Sequence, residues 1–183
     1  FLKFIKFNLM KKKFKIDWST KSHNFSKKEK KKDIDVMSYA ESLTQGKYLE
    51  KFENDFEKYL KSKGKAFGVT SGASAIELAA ACLDLKPNDE IIMPAHTYCA
   101  TALPFNRYKA KIIWADIDLD TMNISCKHVE KLISNKTKAI ITVNLYGLPS
   151  NVLQIKKIIK NKKIILIEDC AQSLGAEINN KKV

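Results

Sequence analysis

The side chain whose position most clearly suggests a chemical role is Asp169. It directly follows Glu168, at the end of the apolar run 164–167. Four apolar residues in a row predict a strand that is buried on both faces. Open α/β sheets bind their ligands at the carboxyl ends of such strands, so Asp169 is a candidate ligand-binding carboxylate. Its chemistry suits a protonated, pyridine-type ring nitrogen. The structural alternative is that Asp169 caps a following helix.

A second candidate site lies in residues 66–81, where a short apolar stretch runs into a turn of small residues and then an alanine-rich helix. Backbone N–H groups at the start of a helix bind anions, and serine hydroxyls add further donors. Gly72, Ala73 and Ser74 therefore form a candidate phosphate site. The alternative is an ordinary helix start that Ser71 or Ser74 caps without any ligand.

A third candidate is Tyr98, which follows the predicted strand at residues 91–94. An aromatic ring just beyond a strand end can stack on a planar ligand, which contributes roughly 1 kcal/mol beyond burial. The alternative is a tyrosine packed in the core.

The elements that must position these residues alternate along the chain. Apolar patterning predicts strands near 66–69, 90–93, 111–115, 139–143 and 164–168, and helices near 73–83, 97–107, 125–133 and 150–160. Such alternation predicts right-handed βαβ crossovers and a three-layer α/β fold around a mainly parallel sheet. Apolar residues at helical spacing predict a further helix within 38–62. Residues 1–37, rich in lysine clusters, are expected to form a loosely ordered arm, and residues 38–183 the N-terminal part of a larger α/β domain.

Together these segments resemble the DegT/DnrJ/EryC1/StrS family of sugar aminotransferases, which have the aspartate-aminotransferase fold. The resemblance runs from about residue 39 to the end of the chain, and its motifs lie at 45–49, 52–53, 70–75, 86–94, 97–98, 116–118, 136–140, 145–149 and 167–172. It implies pyridoxal 5′-phosphate (PLP) as cofactor, with the phosphate at Gly72, Ala73 and Ser74. It further implies that Tyr98 stacks on the pyridine ring, Asp169 pairs with the ring nitrogen and Gln172 reaches the ring hydroxyl.

The sequence departs from the family at its end. It stops at Val183, whereas family members continue to the lysine that forms the Schiff base with the cofactor. No lysine in this sequence is followed and preceded by the residues that surround the family's Schiff-base lysine, so we expect no catalytic residue within the chain. The chain begins with Phe1 where an initiator methionine would stand, which also suggests truncation. We therefore expect part of a large domain that ends before the Schiff-base lysine, and we expect this part to be inactive by itself.

Composition excludes several other classes. The formal net charge of +13 comes almost wholly from lysines, and Arg107 is the single arginine. Proteins that bind nucleic acids usually rely on bidentate arginine contacts to bases and phosphates. We therefore expect no nucleic-acid partner. The four cysteines form no C-x-x-C pair, which predicts neither a zinc site nor disulfides and favours a cytoplasmic location. No apolar run reaches membrane-spanning length, so no membrane association is expected.

Two further motifs each have more than one interpretation. Asp116, Asp118 and Asp120 resemble the start of a calcium loop, but Thr121 and Lys127 stand where that loop needs Gly and Glu, which excludes an EF-hand. The same Asp-x-Asp pattern is compatible with the metal site of a nucleotide-sugar glycosyltransferase, or with carboxylates that close a strand and solvate a turn. Residues 144–147 either line the cofactor pocket or make an ordinary turn.

The resemblance implies an intact homodimeric enzyme that moves an amino group, commonly from glutamate, onto a nucleotide-linked keto-sugar. The alternative within the fold is a PLP-dependent sugar 3-dehydratase, in which histidine replaces the Schiff-base lysine. A non-catalytic remnant is the alternative from another class.

Overall fold

The computed structural model describes residues 25–40, 42 and 45–183, and they divide between Glu50 and Lys51 into two compact units. The helices are α1 Lys27–Tyr39, α2 Lys47–Leu60, α3 Gly72–Ala81, α4 Leu103–Asn106, α5 Cys126–Leu132 and α6 Val152–Ile158. The strands are β1 Glu90–Pro94, β2 Lys111–Ala115, β3 Thr137–Val143, β4 Ile165–Asp169, β5 Glu177–Ile178 and β6 Lys181–Lys182. Single 3₁₀ turns occupy Cys99–Thr101 and Leu145–Gly147.

The first unit contains α1, where the sequence predicts a loosely ordered arm. The Ser26 hydroxyl accepts the Glu29 N–H, and the Glu29 carboxylate accepts the Ser26 N–H, which forms a capping box. This reciprocal cap starts a helix although lysines crowd its first turns. The expectation of loose order is therefore wrong for residues 27–37, and the lysine cluster at residues 11–13 lies outside the described residues.

The second unit is built on a four-stranded parallel sheet with the order β2-β1-β3-β4. The predicted three-layer α/β architecture is confirmed. The chain runs outward from β1 to β2 and then returns past β1 to β3, so the strand order reverses between β1 and β3. The carboxyl ends of strands at such a reversal leave a crevice for ligands.

Both faces of the sheet are covered, which explains its continuous apolar strands. Ile91, Met93 and Ile141 point to one face, where they pack with residues of α3 and α4. Ile92 and Ile140 point to the other, where they pack with residues of α5 and α6. The connection through α4 moves one way across the sheet, whereas those through α5 and α6 cross the opposite face in the opposite direction, so all three crossovers have the same hand.

The strand predicted at residues 66–69 is absent: this segment belongs to no helix or strand. Its N–H groups bond to carboxylates of α2 instead. Ala66 N donates to Glu57 Oε1 at 3.0 Å, and Gly68 N donates to Glu53 Oε1 at 2.7 Å. Local apolar character predicted a strand, but a strand also needs a neighbour to pair with.

Two predicted helices are shorter or broken. The helix expected at 97–107 is a 3₁₀ turn followed by the four residues of α4, with Pro104 in the first turn of α4, where its missing N–H costs nothing. The helix expected within 38–62 begins at Lys47, just after Gly46 at φ +127°.

At the end of the chain, β5 and β6 form a hairpin whose two turn residues, Asn179 and Asn180, both have positive φ.

Candidate active site

A cavity of about 330 Å³ opens at the carboxyl edge of the sheet. It lies between the N-terminus of α3 and the segments that follow β1, β3 and β4. Five of the six residues predicted as cofactor ligands line it, namely Gly72, Ala73, Tyr98, Asp169 and Gln172. Its other lining side chains are largely apolar and include Ile76, Val143 and Leu145. The sheet therefore brings together residues that are up to 100 positions apart in sequence.

Asp169 is the last residue of β4 and pairs in register with Val143 of β3. One carboxylate oxygen, Oδ2, accepts a hydrogen bond from the Thr101 hydroxyl at 3.0 Å, and the other, Oδ1, accepts the Ala171 N–H at 3.2 Å. No helix follows within the described residues up to Val183, so the interpretation of Asp169 as a helix cap is wrong. It closes a short turn and remains at the cavity wall.

The small-residue turn forms the start of α3. Ser71 is the N-cap, and its hydroxyl accepts the Ser74 N–H at 3.1 Å. The capping alternative is thus realised, but the cap leaves the N–H groups of Gly72 and Ala73 without carbonyl partners inside the helix. Ser74 does not line the cavity; its hydroxyl lies 3.0 Å from those of Thr70 and Ser71. A Cβ at Gly72 would lie 3.9 Å from that of Ala171, so α3 starts against the segment after β4.

Tyr98 lies at the other side of the cavity, where β1 leads into its 3₁₀ turn. Its side chain is 73% exposed, which excludes the core-tyrosine alternative. A large aromatic ring left open to solvent beside a cavity has a free face for a planar ligand.

The side chain of Gln172 is hydrogen-bonded to the backbone of Tyr146, which has a left-handed conformation. Its Oε1 accepts the N–H of Tyr146 at 2.8 Å, and Tyr146 has φ +57° and ψ +21°, a left-handed conformation that is costly for an aromatic residue. The Tyr146 hydroxyl lies 3.3 Å from His96 Nε2. Because Oε1 accepts the N–H, the amide group of Gln172 has a defined orientation.

Residues 144–147 fulfil both interpretations that the sequence left open. Asn144 and Leu145 line the cavity, and Gly147 at φ +82° makes the turn. Asn144 is fully buried: its Oδ1 accepts the Ser150 N–H at 2.8 Å, and its Nδ2 donates to Cys170 Sγ at 3.4 Å. Burial raises the pKa of the Cys170 thiol, which keeps it protonated beside Asp169.

Thr101 is the site residue that sequence reasoning missed. It is 2% exposed and bonds to Asp169, 68 residues later. Only its position after a strand, within a helix-start segment, hinted at this role.

The Asp-x-Asp motif lies elsewhere, at the end of β2. Asp118 Oδ1 accepts the N–H groups of Asp120 and Thr121 at 3.0 and 3.2 Å, which favours the turn-closing interpretation. Within residues 25–40, 42 and 45–183, no group of three or more His, Cys, Asp or Glu side chains is arranged to hold a metal ion. In the same part of the chain, no helix has the length and apolarity that a membrane crossing needs.

The chain is similar to known proteins. The chain is 39% identical over 156 residues to the GDP-4-keto-6-deoxy-D-mannose 3-dehydratase of Escherichia coli O55:H7 and covers 40% of it, with 82% of this chain matched. It is 34% identical to the GDP-perosamine synthase of Vibrio cholerae, with 76% of this chain and 38% of that protein covered. The chain thus spans about two fifths of the length of these relatives.

Solved structures of similar proteins cover a comparable share of this chain. The E. coli GDP-4-keto-6-deoxy-D-mannose 3-dehydratase with bound hydrated PLP superimposes with a TM-score of 0.83 at 38% identity, covering 88% of this chain and 43% of that one. An aminotransferase from Psychrobacter cryohalolentis gives a TM-score of 0.82 at 27% identity, covering 92% and 42%. The model of one family matches residues 24–183, and the chain belongs to it: the DegT/DnrJ/EryC1/StrS aminotransferase family.

Proposed function

We propose that this chain supplies the cofactor-binding part of a PLP-dependent enzyme that acts on a nucleotide-linked keto-sugar, and that the reaction of the intact protein is amino transfer from a donor such as glutamate. The observation that carries the proposal is the single cavity shared by Gly72, Ala73, Tyr98, Asp169 and Gln172. By the same proposal the intact enzyme is a cytoplasmic homodimer, and the 183 residues alone do not catalyse turnover.

The donor set of the cavity fits PLP. Unpartnered helix N–H groups of α3 suit a phosphate, and the Asp169 carboxylate suits a protonated ring nitrogen. The apolar wall between them, with Ile76 and Val143, suits a flat aromatic ring. A volume of about 330 Å³ lies at the lower end of the range for small-molecule pockets.

Each residue then has one task. Gly72 and Ala73 bind the phosphate through their N–H groups, and Ser74 keeps the turn closed through its hydroxyl contacts. Tyr98 orients the ring by stacking, and Gln172 binds the ring hydroxyl. Asp169 keeps a proton on the ring nitrogen because its negative charge stabilises the pyridinium form.

When bound, PLP supplies an electron sink for the bond-breaking step. The chain's own contribution is to keep that sink protonated and oriented. The ionised Asp169 carboxylate would accept a hydrogen bond from the protonated ring nitrogen, and the apolar cavity wall would shield the ring face from water.

A sugar 3-dehydratase is the second candidate, favoured by the 39% identity with the E. coli dehydratase. It would use the same cofactor site, so these residues do not separate the two reactions. A non-catalytic remnant predicts no turnover, and a glycosyltransferase predicts metal-dependent sugar transfer.

The test is to incubate the product of the whole natural gene with GDP-4-keto-6-deoxy-D-mannose, glutamate and PLP, and to identify the sugar by mass spectrometry and NMR. We expect an amino sugar that depends on both glutamate and PLP. A 3-deoxy sugar would select the dehydratase, and an unchanged sugar in the presence of bound PLP would count against both enzymes for this substrate class. A product that forms equally without PLP would overturn the proposal.

A further inference from the structure

We propose that Thr97 and Thr101 form a hydroxyl relay that orients the Asp169 carboxylate, which makes both threonines positioning residues of the site. The inference rests on the cofactor site proposed above and adds residues to it. Thr101 Oγ1 lies 3.0 Å from Asp169 Oδ2, and Thr97 Oγ1 lies 2.9 Å from Thr101 Oγ1. The three side chains form one continuous line of short contacts.

The direction of the protons follows from their number. An ionised carboxylate only accepts hydrogen bonds, so Thr101 must donate its single hydroxyl proton to Asp169. The contact between the two threonine oxygens then requires Thr97 to donate to Thr101. Each donor polarises the next, which strengthens the bond that reaches the carboxylate.

The relay and the Ala171 N–H together hold both carboxylate oxygens. Oδ2 accepts the Thr101 hydroxyl and Oδ1 accepts the Ala171 N–H, so rotation of the carboxylate would break one of the two bonds. Because Thr101 is 2% exposed, water cannot readily replace its hydroxyl. A carboxylate held from two sides meets its ligand without first losing rotational freedom.

The relay also crosses the sheet. Thr101 follows β1 and Asp169 ends β4, and β3 lies between those two strands. The bond therefore ties together the two sides of the crevice where the strand order reverses. The other hydrogen bond of the Asp169 carboxylate, from the Ala171 N–H, is local.

Thr142 provides a matched control. It lies on β3 and is fully buried like Thr101, but its hydroxyl has no partner within the described residues. Replacing threonine by valine removes the hydroxyl and nearly preserves the shape at either position. The two variants share the core setting and differ in whether the lost hydroxyl bonds to Asp169.

The first measurement needs no ligand: amide hydrogen exchange of Ala171 in the full 183-residue chain. In Thr101→Val the carboxylate loses one of its two anchors, so exchange at Ala171 should accelerate by about tenfold, the factor expected for loss of a bond to a charged group. Thr142→Val and Thr101→Ser should leave it near the wild-type rate. Equal exchange in Thr101→Val and Thr142→Val would overturn the relay.

The second measurement compares binding of PLP with that of an analogue in which a C–H group replaces the ring nitrogen. We expect the wild-type preference for PLP to fall about tenfold in Thr101→Val, to recover in Thr101→Ser and to persist in Thr142→Val. If Thr101→Val kept the wild-type preference for PLP, the relay would be overturned, but the proposed role of Asp169 would not. Absence of any preference in the wild type would overturn the proposed role of Asp169 and this inference with it.

If Thr101→Val does not fold, Thr97→Val carries the test. It keeps the Thr101 contact with Asp169 and removes only the donor behind it. A smaller acceleration at Ala171 and a smaller loss of preference are expected. Wild-type values for both in Thr97→Val, together with wild-type values in Thr101→Ser, would overturn the relay.

Discussion

Asp169 and Asp118 occupy comparable positions, at or just beyond the carboxyl ends of two parallel strands, yet they differ in what holds them. Asp118 accepts N–H groups from Asp120 and Thr121 of its own turn. Asp169 also accepts an N–H of its own turn, from Ala171, but in addition it accepts a hydroxyl from Thr101, 68 residues away, and it lines the candidate active-site cavity. A carboxylate bonded within its own turn stabilises that turn, whereas Asp169 is also tied across the sheet, beside the proposed cofactor site.

Strand position alone does not explain the difference. β2 and β4 are the two edge strands, and each lies one strand away from the reversal between β1 and β3. The carboxyl end of β4 contacts Thr101, which follows β1, and lines the candidate active-site cavity, whereas Asp118 does not line that cavity. The contact across the sheet therefore decides, and the local motif does not.

The largest expected effect comes from Asp169→Asn, which removes the charge and keeps the shape. PLP binding to the chain should weaken by roughly 1.5–3 kcal/mol, because a charge-assisted hydrogen bond is lost. In the whole natural enzyme, we expect turnover to fall far more than cofactor content. Titration with PLP measures the first effect and steady-state kinetics the second. Asp118→Asn is the control and should leave binding unchanged; an equal effect of both changes would end the distinction between the two carboxylates.

The next effect is on ring stacking. Tyr98→Leu should weaken PLP binding by roughly 0.5–1.5 kcal/mol, since an aromatic pair contributes about that much beyond burial. Trp114→Leu is a suitable control because Trp114 is an aromatic residue of β2, 49% exposed and outside the cavity. The same titration measures both variants. Unchanged binding in Tyr98→Leu would leave Tyr98 as an exposed residue without a role at the site.

A comparable change at Asp118 should affect stability. Asp118→Ala removes the acceptor for two turn N–H groups, and we expect the free energy of unfolding to fall by about 1 kcal/mol. Urea denaturation measures it, and PLP binding per folded molecule should not change. If Asp118→Ala instead lowered PLP affinity at unchanged stability, the end of β2 would belong to the site.

The smallest effect concerns pH. The Ala66 N–H bonded to Glu57, helped by Lys65, holds the pKa of that carboxyl below its usual value of 4.5. A lowered pKa in the folded state contributes stability that is present above the usual pKa and is lost as pH falls through the folded value. Exchange of the Ala66 amide, corrected for the intrinsic pH dependence, should therefore accelerate below about pH 4.5. Glu57→Gln should show no such acceleration, and a wild-type profile in that variant would assign the effect to another group.

Much of the fold could be predicted from the sequence because the relevant signals are local. Apolar runs predicted β1, β2, β3 and β4 to within a few residues, and small residues after Ser71 predicted the start of α3. The errors had two different causes. Residues 66–69 lack a strand to pair with, which the local sequence does not reveal. Residues 27–37 are helical because Ser26 and Glu29 cap each other, a local signal that the prediction from lysine-rich composition did not use.

The sequence by itself determined the family, the layered fold and five of the residues that line the cavity, because residue types, order and spacing are carried by the chain itself. Tertiary structure alone decided that Thr101 bonds to Asp169. The physical reason is that hydrogen bonds across a sheet depend on strand order, and strand order follows from packing the whole chain.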